Sequence, residues 1–197
     1  MTCIVGLIDK KTKDVYIGGD SAGVGNYSIR LRKDPKVFIR GPFIMGFTTS
    51  FRMGQLLMSD ERFKVRSQKQ NETDYEYMVS AFVPAVQKLF EAGGFLEENS
   101  KVKRGGTFLV GYKGNLYCIE GDFQVAEHHD EFNACGCGED YAVGSLYSTS
   151  KKKKMKPEEK VLEALEAAEY FSAGVRGPFN ILKLKYDEGN KVKEINF

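Results

Sequence analysis

Short apolar runs separated by polar turns open the chain. Cys3-Ile-Val-Gly-Leu-Ile8 is followed by the polar segment Asp9 to Asp14 and then by Val15-Tyr-Ile-Gly-Gly19. That spacing predicts a hairpin whose first strand begins at residue 3. Chain ends are usually loose, so a strand this close to the terminus predicts a terminus held in place. Two more strands are predicted at Lys36-Val-Phe-Ile39 and Phe43-Ile-Met-Gly-Phe47, joined by a turn containing Arg40-Gly-Pro42.

The period then changes. Ser50 is placed to cap a helix carrying Met53, Leu56 and Leu57 on one face. After a polar stretch from Asp60 to Asn71, Thr73 or Asp74 opens a second helix with Tyr75, Met78, Val79, Phe82, Val86, Leu89 and Phe90 at helical spacing. Gly93-Gly94 stops it, and Pro84 inside it predicts a kink or a boundary. Strands resume at Thr107–Tyr112, Leu116–Ile119 and Phe132–Cys135. Gly136-Cys-Gly138 reads as a turn into a helix from Glu139 to Ser148. Pro157, with Glu158 and Glu159 in the first turn, opens a last helix through Tyr170. Phe179–Tyr186 and Val192–Phe197 are predicted to pair around a turn at 187–190. No linker or repeat divides the chain, so residues 1–197 read as one domain. Segregated runs of strands and helices suit sheets covered by helices rather than alternating parallel units.

Composition narrows the function. The 29 basic and 27 acidic residues nearly cancel, which argues against a dedicated nucleic-acid binder. No run approaches the roughly 18 apolar residues of a membrane helix, and no signal peptide opens the chain, so a cytoplasmic protein is expected. The four cysteines, Cys3, Cys118, Cys135 and Cys137, form neither a disulfide framework nor, with the adjacent His128 and His129, a zinc set. No metal and no cofactor are expected. The lysines from 151 to 154 read as a solvated charge run.

The candidate chemistry lies at the start. A small residue at position 2 permits removal of Met1, which would leave Thr2 with its hydroxyl beside its own amine. That amine, with a pKa near ~8, can serve as a base for the hydroxyl. Three segments sharpen the reading. Gly18-Gly19-Asp20-Ser21 ends the second strand, Lys36 follows Lys33-Asp-Pro35, and Gly136-Cys-Gly138 lies between a strand and a helix. With Thr2-Cys-Ile-Val-Gly6 and Gly46-Phe47 leading into a helix, the chain resembles proteasome β-subunits and, more closely, the bacterial heat-shock-locus V peptidase. The Asp20 to Lys36 separation matches that peptidase without a gap. Ala134–Gly138 with Tyr141-Ala142 is similar to the family's Gly-Ser-Gly segment, and Pro157 and Phe179–Leu182 match its last helix and following strand.

The resemblance implies the N-terminal nucleophile hydrolase fold, an α+β, four-layer αββα sandwich of two antiparallel sheets flanked by helices. It also implies a threonine-type peptidase that cleaves peptide bonds through an acyl-enzyme. Thr2 takes the place of the nucleophile, Lys36 that of the group tuning it, and Asp20 that of the carboxylate holding the lysine. Cys137 stands where the family has Ser, and a thiol is the poorer hydrogen-bonding group. Thr49 falls where the family usually has Gly and would offer the oxyanion its backbone N–H, with Phe47 and Phe51 flanking the specificity pocket. Ser172–Gly177 lacks the carboxylate the family carries after its last helix; Glu139 and Asp140 are the stand-ins considered. The implied partners are a peptide or unfolded-protein substrate and copies of the chain in a homo-oligomeric ring, with an unfoldase left open. A catalytically silent structural or binding subunit of the same fold is the alternative, and a retained Met1 would cap the nucleophile.

Overall fold

The computed structural model describes residues 1–99, 101–186 and 192–196. Two five-stranded antiparallel sheets organise it. The first has the order β12-β1-β2-β13-β14, formed by β1 (Cys3–Ile8), β2 (Val15–Gly19), β12 (Phe132–Gly136), β13 (Asn180–Leu184) and β14 (Val192–Asn196). The second has the order β11-β10-β9-β6-β5, formed by β5 (Val37–Arg40), β6 (Phe43–Phe47), β9 (Phe108–Tyr112), β10 (Asn115–Ile119) and β11 (Val125–Glu127). Two hairpins, β3 (Ala22–Gly25) with β4 (Ser28–Leu31) and β7 (Glu97–Asn99) with β8 (Val102–Arg104), stand apart from both sheets.

The apolar runs are continuous because their strands bury both faces. Along β1, Ile4 enters a core shared with Ile17, Val37, Ile44 and Leu109, which come from both sheets. Its neighbours Cys3, Val5 and Leu7 enter a second core with α4 (Glu139–Ser150) and α5 (Pro157–Phe171). A third core joins Phe38, Met45 and Phe108 of the second sheet to Met53, Leu56 and Leu57 of α1 (Phe51–Ser59) and to the helical stretch that follows. Each fully buried Leu or Phe contributes about 1.5–3 kcal/mol.

The helical stretch from Asp74 to Ala92 explains Pro84. It comprises α2 (Asp74–Tyr77), a π-helical turn (Met78–Phe82) and α3 (Val83–Ala92). Pro84 has no N–H for the carbonyl four residues back, and its ring would press on that carbonyl. The ladder widens just upstream instead, with Val83 N–H donating to Met78 O. Ser50 caps α1 as its position predicts, accepting from Arg52 N–H. The predicted final pairing is present as β13 against β14; its turn at 187–190 lies outside the described residues. No helix among the described residues is long and apolar enough to cross a membrane.

Candidate active site

Four strand ends meet at one edge of the molecule. Thr2 precedes β1, Asp20 follows β2, Cys137 follows β12 and Lys36 precedes β5 of the other sheet. β1 is held on both sides, with Cys3 opposite Gly136 and Ile4 opposite Gly19, so the residue before it is fixed although it sits near the terminus. Thr2 is buried.

The polar contacts converge on Lys36. Its Nζ donates to Thr2 Oγ1 at 2.8 Å and to Asp20 Oδ1 at 2.8 Å. Lys36 and Asp20 are 1% and 0% exposed, so the ion pair lies wholly inside the protein. Burial lowers the Lys36 pKa below its ordinary value, and Asp20 opposes that shift without cancelling it. Asp20 is itself saturated. Oδ1 also accepts from Cys3 N–H at 3.0 Å, and Oδ2 accepts from Ala22 N–H at 2.9 Å and Arg176 N–H at 3.4 Å. A carboxylate gripped this way is a rigid mount for the ammonium beside it.

Cys137 closes the other side. Its Sγ accepts from Thr2 N–H at 3.2 Å and lies 3.4 Å from Thr2 O. Gly136 makes that approach possible. Its φ is +101°, and a Cβ there would stand 2.3 Å from Thr2 O. The Thr2 hydroxyl donates to Met1 O at 2.5 Å, so the Met1–Thr2 peptide lies against the hydroxyl.

The turn after β6 forms the next wall. Phe47 N–H is committed to Lys36 O and Thr48 N–H to Thr107 O. Thr49 has φ +58°, an unusual conformation for a β-branched residue. Its Oγ1 accepts from Thr107 N–H at 3.1 Å and lies 3.2 Å from Thr48 Oγ1, which ties the strained residue down. Phe51 carries the Arg32 guanidinium 3.7 Å from its ring centroid, with Lys36 Nζ 5.7 Å away. Phe47 lies deeper, 4% exposed and packed against Gly54 of α1 as part of the helical core.

The structure thus links Asp20 to Lys36, Lys36 to Thr2 and Thr2 to Cys137 by hydrogen bonds and sets Thr49 and Phe51 on the adjoining turn and helix. Glu139 and Asp140 do not join them. Glu139 accepts from Gly136 N–H at 3.0 Å, and both line a cavity of about 570 Å³ beside Thr48 and Gly136. The 172–177 stretch, which has no carboxylate of its own, is instead held by Glu169 of α5, which accepts from Gly177 N–H at 3.0 Å. Sequence reasoning missed Ser172, whose Oγ lies 3.4 Å from Cys137 Sγ, and the Arg176 N–H on Asp20. No local signal marks either, because both depend on where the loop after α5 returns. The thiols of Cys3, Cys118 and Cys135 are pushed up by burial, and all four cysteines are free. Among the described residues no group of three His, Cys, Asp or Glu is arranged to hold a metal ion.

Solved structures share this architecture. Thiobacillus denitrificans BPH in complex with epoxomicin superposes with a TM-score of 0.75 at 15% identity, covering 94% of this chain and 100% of that one. Eukaryotic HslV from Trypanosoma brucei gives 0.65 at 15% identity, covering 93% and 99%. The Anbu (Gly-1) mutant from Hyphomicrobium sp. strain MC1 gives 0.68 at 16% identity, covering 100% and 88%. At such identities the likeness is one of fold, the proteasome-type fold that the sequence motifs resemble. A scan against models of protein families returns no match. A search of curated proteins returns none either.

Proposed function

We propose that this chain is a threonine-type amidohydrolase of proteasome-like kind, cleaving peptide bonds with Thr2 once Met1 is removed. One observation carries the reading. A wholly buried lysine, its pKa lowered by burial, stands 2.8 Å from the Thr2 hydroxyl and is held there by a buried carboxylate. Burying an ion pair is costly, and a threonine hydroxyl on an ordinary strand end needs no such neighbour.

Lys36, as the neutral amine, accepts the Thr2 Oγ1 proton as the oxygen attacks the substrate carbonyl. The oxyanion is met by the Thr49 N–H, since the preceding N–H groups are taken. The C–N bond breaks as the leaving amine is protonated, the freed Thr2 amine serving as relay. Water then hydrolyses the ester on Thr2. Cys137 and Ser172 orient the Thr2 backbone. Thr49 and Phe51 border the cleft, and Phe47 supports it from the core. No cofactor enters these steps. The substrate is a peptide or an unfolded protein, and residues 1–197 act as one domain with the αββα order of layers. Copies assemble into a homo-oligomeric ring, to which an unfoldase could deliver substrate.

Epoxomicin, which the Thiobacillus protein carries, supplies the test. Intact mass of untagged protein is measured before and after exposure to it. Loss of Met1 and one bound molecule per chain, abolished by Thr2→Ala, are expected. A chain that keeps Met1, or a free Thr2 that never reacts, would overturn the enzyme reading in favour of a silent subunit of the same fold.

A further inference from the structure

The lysine run that reads as a solvated face in sequence does not stand alone in three dimensions. At the end of β1 opposite Thr2, a cavity of about 590 Å³ is bordered by six lysines from two separate stretches of the chain. Lys10 and Lys11 come from the β1–β2 turn, Lys153, Lys154 and Lys156 from the α4–α5 connection, and Lys160 from the first turns of α5. Only Asp9 and Glu131 oppose them within the lining. Both acids are engaged, Glu131 with Lys10 at 2.8 Å and Asp9 with Lys11 N–H at 2.8 Å. Outside the lining, Glu159 accepts from Lys156 N–H at 2.9 Å and Glu163 pairs with Lys152 at 3.2 Å.

The floor has a different character. Leu7 and Phe132, each 8% exposed, line it with Ile8, Met155 and Pro157. A cationic rim over an apolar floor therefore occurs in a chain whose charges nearly cancel overall. Like charges gathered from distant segments repel one another, and solvation alone gives no reason for them to converge on an apolar recess. The cavity lies within the range of ligand pockets, about 300–1,000 Å³.

We propose that this cavity binds a small anionic amphiphile, a single carboxylate or phosphate head on an unbranched apolar tail. The head sits among Lys10, Lys154 and Lys156, and the tail lies along Leu7, Phe132 and Met155. The site is separate from Thr2 and does not depend on its chemistry. Its occupant is chosen by the pairing of charge with an apolar floor: a bare anion leaves the floor wet, and a neutral chain brings no charge to the rim, where Glu131 answers Lys10 alone.

Calorimetric titration of the full chain with dodecanoate, below its micelle-forming concentration, tests this. Saturable one-site binding that weakens with salt is expected, with dodecanol and inorganic phosphate each binding at least about tenfold more weakly. Two variants read the two halves of the site. Replacing Lys10, Lys154 and Lys156 by Gln should weaken dodecanoate about tenfold, the scale of three exposed ion pairs. Met155→Asp should weaken it comparably through the floor. The lysine positions are exposed, so the triple variant is expected to melt like the parent even if Met155→Asp does not fold. The proposal fails if dodecanoate shows no saturable binding, or if the triple variant binds it unchanged. It also fails if phosphate or polyglutamate competes as well as the amphiphile, which would make the surface a plain polyanion contact.

Discussion

At the residue scale the arrangement turns on one proton. Lys36 in its charged form donates to both Asp20 and Thr2 Oγ1; only the neutral amine can accept from the hydroxyl. Because burial sets its pKa below the ordinary lysine value of 10.5, the neutral fraction at a given pH is larger than for an exposed lysine. The rate of Thr2 labelling by epoxomicin is therefore expected to rise with pH through a lysine titration placed below 10.5. Lys36→Arg keeps the charge but stays protonated throughout. It should remove that limb and slow labelling by at least about a hundredfold, measured by intact mass against time from pH 6 to 10. An unchanged profile would show that Lys36 only holds the hydroxyl and that another group takes its proton. The sequence made this constellation legible through motif resemblance alone. Nothing in local pattern says that residues 2, 20, 36 and 137 share a site, because each lies just outside a strand and their meeting depends on two sheets abutting. Ser172 was illegible for the same reason, and Thr49 was visible as a departure from Gly without its positive φ.

At the scale of elements, the strand ends that carry the site are also where backbone geometry is least tolerant. Gly136→Ala would put a Cβ at positive φ and 2.3 Å from Thr2 O, so strand β12 must shift away from β1. A loss of about 2–4 kcal/mol in urea unfolding is expected, together with loss of labelling as Cys137 leaves the Thr2 N–H. A second prediction concerns the β2–β13 pair. Asp14, just before β2, accepts from Lys183 of β13 and from Tyr186 N–H. Burial works upward on its pKa, and the hydrogen bonds from Lys183, Tyr186 and Thr12 outweigh it, leaving the carboxyl below its usual value. A depressed carboxyl pKa contributes stability that is full above the unfolded value of 3.8 and is lost as pH falls through the folded one. Asp14→Asn should thus cost about 2 kcal/mol at pH 7, with the gap from the parent closing below pH 3.8 in chemical denaturation. Most strands of the two sheets were legible because burial on both faces writes long apolar runs, but the short β11 on the edge of the second sheet was not. Nor were strands β3, β4, β7 and β8. Ala22-Gly-Val-Gly25 has no alternation to read, Ser28–Leu31 is exposed throughout, and Glu97-Glu-Asn99 is wholly polar.

At the scale of the whole molecule, the least settled surface lies beside the site. Tyr141 at the start of α4 and Tyr170 and Phe171 at the end of α5 form an aromatic group open to solvent. Phe171 stacks on Tyr141 with centroids 5.4 Å apart and meets Tyr170 edge-on at 4.8 Å. Tyr170 is 82% and Phe171 63% exposed, an unusual outlay of aromatic surface for a protein that works alone. The patch runs directly into Ser172, whose hydroxyl reaches Cys137 at 3.4 Å, so a contact made on the aromatics would bear on the loop behind Thr2. Self-association through this patch would join the proposed ring to the proposed chemistry. Sedimentation velocity at tens of micromolar is expected to show assemblies for the parent, and monomers or smaller assemblies for Phe171→Glu combined with Tyr170→Ser. Labelling of Thr2 should slow in the same variant although no residue touching the hydroxyl has changed. An assembly insensitive to the double substitution would place the contact on another face. A parent that stays monomeric would instead require the aromatics to meet a different protein, and the loop at Ser172 to be ordered by the chain itself.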